Sequence, residues 1–152
     1  MARHAVIIHS IDHARAALAA ATRLNHPIVL YSAAGAVAYA GAGWFQAVIA
    51  AARADYPTAQ CEAILDCGTH AGLALAALRA GCPAIVVRGP SAQRRKIAEV
   101  AAARGARLDA GTPDALDLGR CRDPQVAVAA WLGSPPGPKA RPQRGKPVLT
   151  TT

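Results

Sequence analysis

Aromatic residues are scarce in this 152-residue chain, which has one Phe, two Trp, three Tyr and a single Met. A core with so few rings must be filled by alanine and branched aliphatics, so its helices have to lie close to whatever they pack on. Cysteine offers no framework either. Cys61, Cys67, Cys82 and Cys121 form no CxxC pair, which argues against a disulfide scaffold or a zinc knuckle and for reduced thiols. No apolar segment approaches the roughly 20 residues of a membrane span. The opening run Ala5-Val-Ile-Ile-His9 is too short for a signal peptide, so no membrane association and a cytoplasmic location are expected. Neither GxGxxG after the first apolar run nor GxxxxGK[ST] occurs, which disfavours dinucleotide and P-loop chemistry. Whether the chain uses another cofactor is unknown from these residues.

What the chain does have is alanine, arginine and a polarised end. Hydrophobic residues make up 53% of it and the net charge is +8. Residues 1–132 carry 13 Lys or Arg against 9 Asp or Glu, while the last twenty carry Lys139, Arg141, Arg144 and Lys146 with no acid. Half of the positive excess therefore sits in a Pro-rich tail. The text from Ser134 onward, Ser-Pro-Pro-Gly-Pro-Lys-Ala-Arg-Pro, suits a tail rather than a domain. The expected division is an α/β domain over 1–133 and a basic tail over 134–152. A basic chain invites nucleic acid as a partner. However, Arg94, Arg95 and Lys96 are consecutive and fan around a helix, so nucleic acid ranks behind other partners.

Five short aliphatic runs recur along the chain: 5–9, 28–32, 62–67, 84–88 and, more weakly, 107–110. Each is followed by helical spacing, and this alternation predicts a parallel sheet. Runs such as Val6-Ile7-Ile8 and Ile85-Val86-Val87 are continuously apolar, as strands covered on both faces are. The reading is α/β: a single-domain open parallel sheet of about five strands with helices on both faces, Rossmann-like, in the flavodoxin-like order 2-1-3-4-5. The helices are predicted after Ser10, from near Trp44 to before Pro57, over His70–Ala80, from Ser91 as N-cap to Gly105, and from Asp123 as cap and Pro124 to Gly133.

In such a sheet, ligands bind beyond the carboxyl ends of the strands. His9, Ser32, Asp66, Thr69, Arg88 and Ser91 are the candidate binding residues at that edge, with Cys67 and His70 as candidate catalytic ones. Asp66 suits a cationic partner, and Thr69 beside Gly68 suits an anion at a helix start; the plainer reading is that one of them caps the helix. Arg88-Gly89-Pro90-Ser91 could grip a carboxylate or phosphate by a fork and a helix dipole together, or Arg88 could pair with Asp66. A Cys67–His70 pair could form a nucleophile, although a buried structural Cys is commoner. His9, His13, Cys67 and His70 lack any familiar metal-ligand spacing, so no metal site is expected. The segment Gly35–Phe45 reads either as a lid with Tyr39 and Trp44 or as an aromatic plug or subunit contact.

Residues 63–90, Ala-Ile-Leu-Asp-Cys-Gly-Thr-His through Ala-Gly-Cys-Pro-Ala-Ile-Val-Val-Arg-Gly-Pro, resemble a βαβ segment of phosphate-binding barrel enzymes of the 2-keto-3-deoxy-phosphogluconate aldolase type. The resemblance rests on the Gly-Thr turn, the Ala-Leu-rich helix ending in Ala-Gly, and the strand ending near Gly-Pro. Those aldolases use a strand lysine as Schiff-base nucleophile. Lys96, Lys139 and Lys146 are the only lysines of this chain, and none falls on a predicted strand. The resemblance therefore implies anion binding near Gly68, Thr69 and Gly89 rather than aldolase activity.

Two readings follow. The first is an anionic small metabolite bound at the strand-end edge, with His70 as acid or base. The second is a non-catalytic module that self-associates or binds a partner, and a homo-oligomer is expected.

Overall fold

The computed structural model describes residues 3–134. Six parallel strands and five helices alternate along them, except that β6 follows β5 directly: β1 (Ala5–Ile8), α1 (Ile11–Leu24), β2 (Ile28–Ser32), α2 (Gly41–Asp55), β3 (Cys61–Asp66), α3 (Ala71–Arg79), β4 (Ala84–Val86), α4 (Ser91–Ala103), β5 (Arg107–Leu108), β6 (Leu116–Asp117) and α5 (Pro124–Leu132). Short 3-10 turns cover Ala36–Ala38 and Leu118–Arg120. Residues 135–152 lie outside the described part, and with them nearly all of the expected tail.

Local chemistry explains most element ends. The Ser10 side chain accepts from the His13 N–H at the start of α1, which ends on Asn25 in the left-handed conformation. Asp123 caps α5 through the Val126 N–H, with Pro124 in the first turn, where its missing N–H costs nothing. α4 departs from expectation, because Pro90 rather than Ser91 stands at its cap and no side chain bonds to its first turn.

The strand order is β5-β4-β3-β2-β1-β6, and all pairs are parallel. This corrects the flavodoxin-like 2-1-3-4-5 order, and two features account for the difference. Each crossover from β1 to β5 steps to the next strand in one direction, and right-handed crossovers in one direction leave every helix on the same face. Helices on both faces would require a reversal that does not occur. Accordingly, one core joins alternate strand residues (Val6, Ile8, Leu30, Leu65, Ile85) to side chains from all five helices. The opposite face buries Ala5, Val29, Tyr31, Ile64, Ala84 and Val86 with no helix over it among the described residues. β6, a two-residue strand, adds next to β1, and α5 packs back on α1.

The second face is closed by the sheet's own curl and by the segment that links β5 to β6. In a flat sheet β1 and β5 would lie about 19 Å apart, four strand spacings. Yet Arg3, just before β1, donates to Asp109, just after β5, at 2.9 Å. Arg107 on β5 shares both carboxylates with Arg3: it reaches Asp109 at 2.8 Å and Glu62 on β3 at 2.6 Å, while Arg3 reaches Glu62 at 2.8 Å. Tyr31 on β2 donates its hydroxyl to Asp109. The linker then runs inward, setting Gly111 against Val86 and Ala115 against the face. The continuously apolar strands are thus covered on both faces, by helices on one and by curl plus linker on the other.

Burial by itself would raise the Asp109 carboxyl. Hydrogen bonds from Tyr31, Arg107, Arg3 and the Gly111 N–H outweigh it and hold the group well below the carboxylate range. Its contribution to stability is therefore present above about pH 4 and is lost as the pH falls. Burial first, and then the bond to Asp109, push the Tyr31 hydroxyl above the usual phenol range. That contribution is full below about pH 10 and is lost as the pH rises beyond it. Tyr31→Phe should cost about 1–3 kcal/mol in urea unfolding at pH 7 and should flatten the loss of stability above pH 10. Asp109→Ala, which leaves the Tyr31 hydroxyl and the Gly111 N–H without their acceptor while Arg3 and Arg107 keep Glu62, should cost about 2–4 kcal/mol. Effects near zero for both would refute the closure of the sheet by this network.

Candidate functional site

Because every strand runs the same way, the carboxyl ends of all six open on one rim. Asp66 and Arg88 emerge there on adjacent strands and meet. The Arg88 guanidinium donates to Asp66 Oδ2 at 2.7 Å and to Oδ1 at 3.1 Å. Asp66 Oδ1 also accepts from the N–H groups of Gly68 at 2.8 Å and Gly35 at 3.1 Å. Ser32 Oγ accepts from the Asp66 N–H at 2.8 Å, and its O–H donates to the Ala33 carbonyl at 3.1 Å. One carboxylate therefore fixes three loops, those after β2, β3 and β4. The Asp66 side chain is 10% exposed and that of Arg88 53%, so the clamp has a buried foot and a solvent-facing cation. Gly68 sits at φ +54°, and an added Cβ there would come within 3.4 Å of the Gly35 Cα, so the turn needs glycine for both its conformation and its close approach.

The other sequence-predicted residues fall into two groups. Thr69, His70 and Ser91 are exposed at the starts of α3 and α4. His70 occupies the cap position of α3 without a side-chain bond to the helix. Cys67 is fully buried, and burial pushes its thiol up to about 12. At neutral pH it is a protonated, packed side chain, and His70 is exposed, so the arrangement gives no activated thiolate.

His9 lies further along the rim, on the far side of β2. Its Nε2 bonds Asp117 Oδ1 at 2.7 Å, and its backbone N–H donates to His13 Nδ1 at 3.0 Å. Asp117 carries an opposing burial effect, yet the bonds from His9 and the Gly119 N–H hold its carboxyl below the usual range. Burial, reinforced by the neighbouring His9, lowers the pKa of His13. His13 is thus an acceptor at Nδ1 and is kept in its neutral form. A Cβ on Gly119 would lie 2.9 Å from His9 Nε2, so glycine makes room for the His9–Asp117 bond. His9 is presented by its carboxylate partner with the second ring nitrogen unbonded among the described residues, an arrangement suited to proton transfer. Among the described residues, no group of three or more His, Cys, Asp or Glu is disposed to hold a metal.

Asp117 and Asp109 were not singled out in the sequence, yet a signal for them was present. Leu65-Asp66-Cys67-Gly68, Leu108-Asp109-Ala110-Gly111 and Leu116-Asp117-Leu118-Gly119 share the pattern Leu-Asp-x-Gly. In each, the aspartate accepts the N–H of the glycine two residues on, the local turn that Asp forms with its own backbone.

No protein-family model matches the chain, and no curated protein matches it. Among solved structures, the crystal structure of a "putative fructose-1,6-biphosphate aldolase" from Coccidioides immitis is similar at a TM-score of 0.52 and 19% identity. The match covers 70% of this chain and 44% of that one. This chain thus spans less than half the length of that neighbour, and at such identity the likeness is one of fold. It agrees coarsely with the aldolase-type resemblance of residues 63–90. The fold places the chain with α/β proteins whose strands follow one another in sequence around a curled parallel sheet, the winding of βα barrels.

Asp66→Ala should lower stability by about 2–4 kcal/mol, because it leaves Arg88 and two glycine N–H groups without their acceptor. Thr69→Ala and Ser91→Ala should stay within about 0.5 kcal/mol. Equal effects at all three positions, measured by denaturant unfolding, would contradict the clamp.

Proposed function

We propose that the chain binds an anionic small metabolite at the carboxyl rim, over the turns that lead into α3 and α4. The observation that carries this reading is the state of those two helix starts. Neither has a side-chain cap, so their first-turn N–H groups face outward beside the half-exposed Arg88. A phosphate or carboxylate is the natural partner for such N–H groups, and the dipoles of both helices favour it. Asp66 neutralises Arg88 in part, but it also holds the fork rigid, leaving the outward N–H groups of the guanidinium for a ligand. Thr69 and Ser91 supply hydroxyls on the same turns. If chemistry follows binding, His9 with Asp117 is better prepared than Cys67 to move a proton, and His70 stands closest to the bound anion in sequence.

A second reading, self-association or docking of a partner, is favoured by a different observation. Tyr39 is 72% exposed, Leu73 41% and Trp44 37%, and the 3-10 turn Ala36–Ala38, which Tyr39 follows, packs against both α2 and α3. These side chains form an apolar shoulder beside the rim.

A thermal-shift screen with phosphorylated sugars, keto acids and nucleotides tests the first reading. Saturation at about 100 Kd adds about 2.7 kcal/mol, which is several degrees for a domain of this size. Thr69→Glu and Ser91→Glu place a carboxylate at each helix start, which the dipole tolerates or favours, and should abolish the shift without loss of fold. The absence of any shift, or one that survives both substitutions, would refute rim binding. Sedimentation of the wild type against Trp44→Glu reports separately on self-association.

A further inference from the structure

We propose a second binding site at the opposite, amino end of the sheet, where Arg53 holds the carboxylate of a small acid whose apolar body enters a pocket beneath α2. Three arginines gather at this end. Arg3 and Arg107 share Glu62 and Asp109 as carboxylate partners. Arg53 has no carboxylate partner among the described residues. It is nevertheless oriented, since Nε donates to Cys61 Sγ at 3.2 Å and Nη2 donates to the Cys61 carbonyl at 3.0 Å. Nη1 remains without a partner among the described residues. An aimed guanidinium with an uncompensated charge is a receptor for a carboxylate.

The space around it has the matching shape. Arg53 borders two neighbouring cavities. One, of about 330 Å³, has Arg53 and Gln46 as its polar lining and Phe45, Ile49, Ala63 and Cys82 among its apolar lining. The other, of about 360 Å³, lies between Arg53 and Arg107. The first is apolar and of the size that holds a small ligand. Its buried walls come from α2, β3 and the turn before β4, so it belongs to the frame of the fold and not to a loop.

Position in a helix explains part of Arg53 but not all of it. A cation in the last turn of α2 complements the helix dipole, and Arg53 stands there. That role needs neither the two bonds to Cys61 nor the apolar pocket. The same dipoles make the amino end of a parallel sheet a poor place for a bare anion. The apolar body must therefore supply much of the affinity, and binding should depend on chain length as well as on charge.

The test uses the full chain with acetate, butanoate, hexanoate and neutral hexanamide as probes, followed by NMR chemical shifts and by the rate of Cys61 alkylation. Affinity should rise about three- to fourfold for each CH₂ added, hexanamide should bind at least tenfold more weakly than hexanoate, and hexanoate should slow alkylation of Cys61. Arg53→Gln should abolish the preference for hexanoate over hexanamide. Ala50→Trp, an exposed α2 position on the pocket wall, should block both probes while leaving Arg53 in place, and it keeps the test informative if Arg53→Gln unfolds the chain. Hexanamide binding as well as hexanoate, no saturable binding of hexanoate, or binding that survives Ala50→Trp would each overturn the site. Thr69→Glu should leave hexanoate binding unchanged, so this result and that for the rim are decided separately.

Discussion

A carboxylate at the end of a parallel strand, folded back on a glycine N–H and then paired with a basic side chain that flanks another strand, is the interaction on which this structure depends. It occurs three times. Asp66 takes the Gly68 N–H and the Arg88 fork, Asp109 takes the Gly111 N–H with Arg3 and Arg107, and Asp117 takes the Gly119 N–H with His9. The glycine fixes the side chain at no entropic cost beyond its own turn. The remaining oxygen lone pairs then determine which strands are tied together. Removing water from such a group is expensive unless every lone pair is met, and here the backbone meets part of the demand before any cation is involved.

Each of the three serves a different end. Asp66 stiffens the rim across β2, β3 and β4 and sets a half-exposed arginine beside two uncapped helix starts. Asp117 presents a histidine on the β1–β6 side. Asp109 does not serve the rim: it draws β1, β2 and β5 together and curls the sheet, so that the linker between β5 and β6 can close the face without helices. The two ends of the sheet acquire opposite character as a result. The carboxyl rim has helix N-termini and a fixed cation, whereas the amino end has helix C-termini, arginines that offset them and pockets with apolar walls.

Legibility in the sequence follows the range of the interaction concerned. The helix after Ser10 was readable from the helical spacing that follows the first aliphatic run, and the one capped by Asp123 and Pro124 because its cap lies within four residues. The first four strands were readable because aliphatic runs between turn residues require burial. The gathering of Asp66 and Arg88 followed from parallel strands alone. β6 was not readable: Leu116-Asp117 is two residues long, and its pairing with Val6 and Ile7 is a contact across more than a hundred positions. The Ser91 cap was misjudged by one residue because Pro90, with its fixed φ, already had the right conformation. Helices on both faces were expected because continuous apolar runs report burial and not the identity of what covers them.

The sequence by itself determined the alternation of strand and helix, the parallel sense of the sheet and the set of polar residues at strand ends, because hydrophobic period, turn chemistry and capping act within a few residues. Only the tertiary structure decided the strand order, the single helical face and the partners of Asp109 and Asp117. Those depend on which strand lies next to which, and a pairing such as Arg3 with Asp109 exists only once the sheet has curled to bring them within reach.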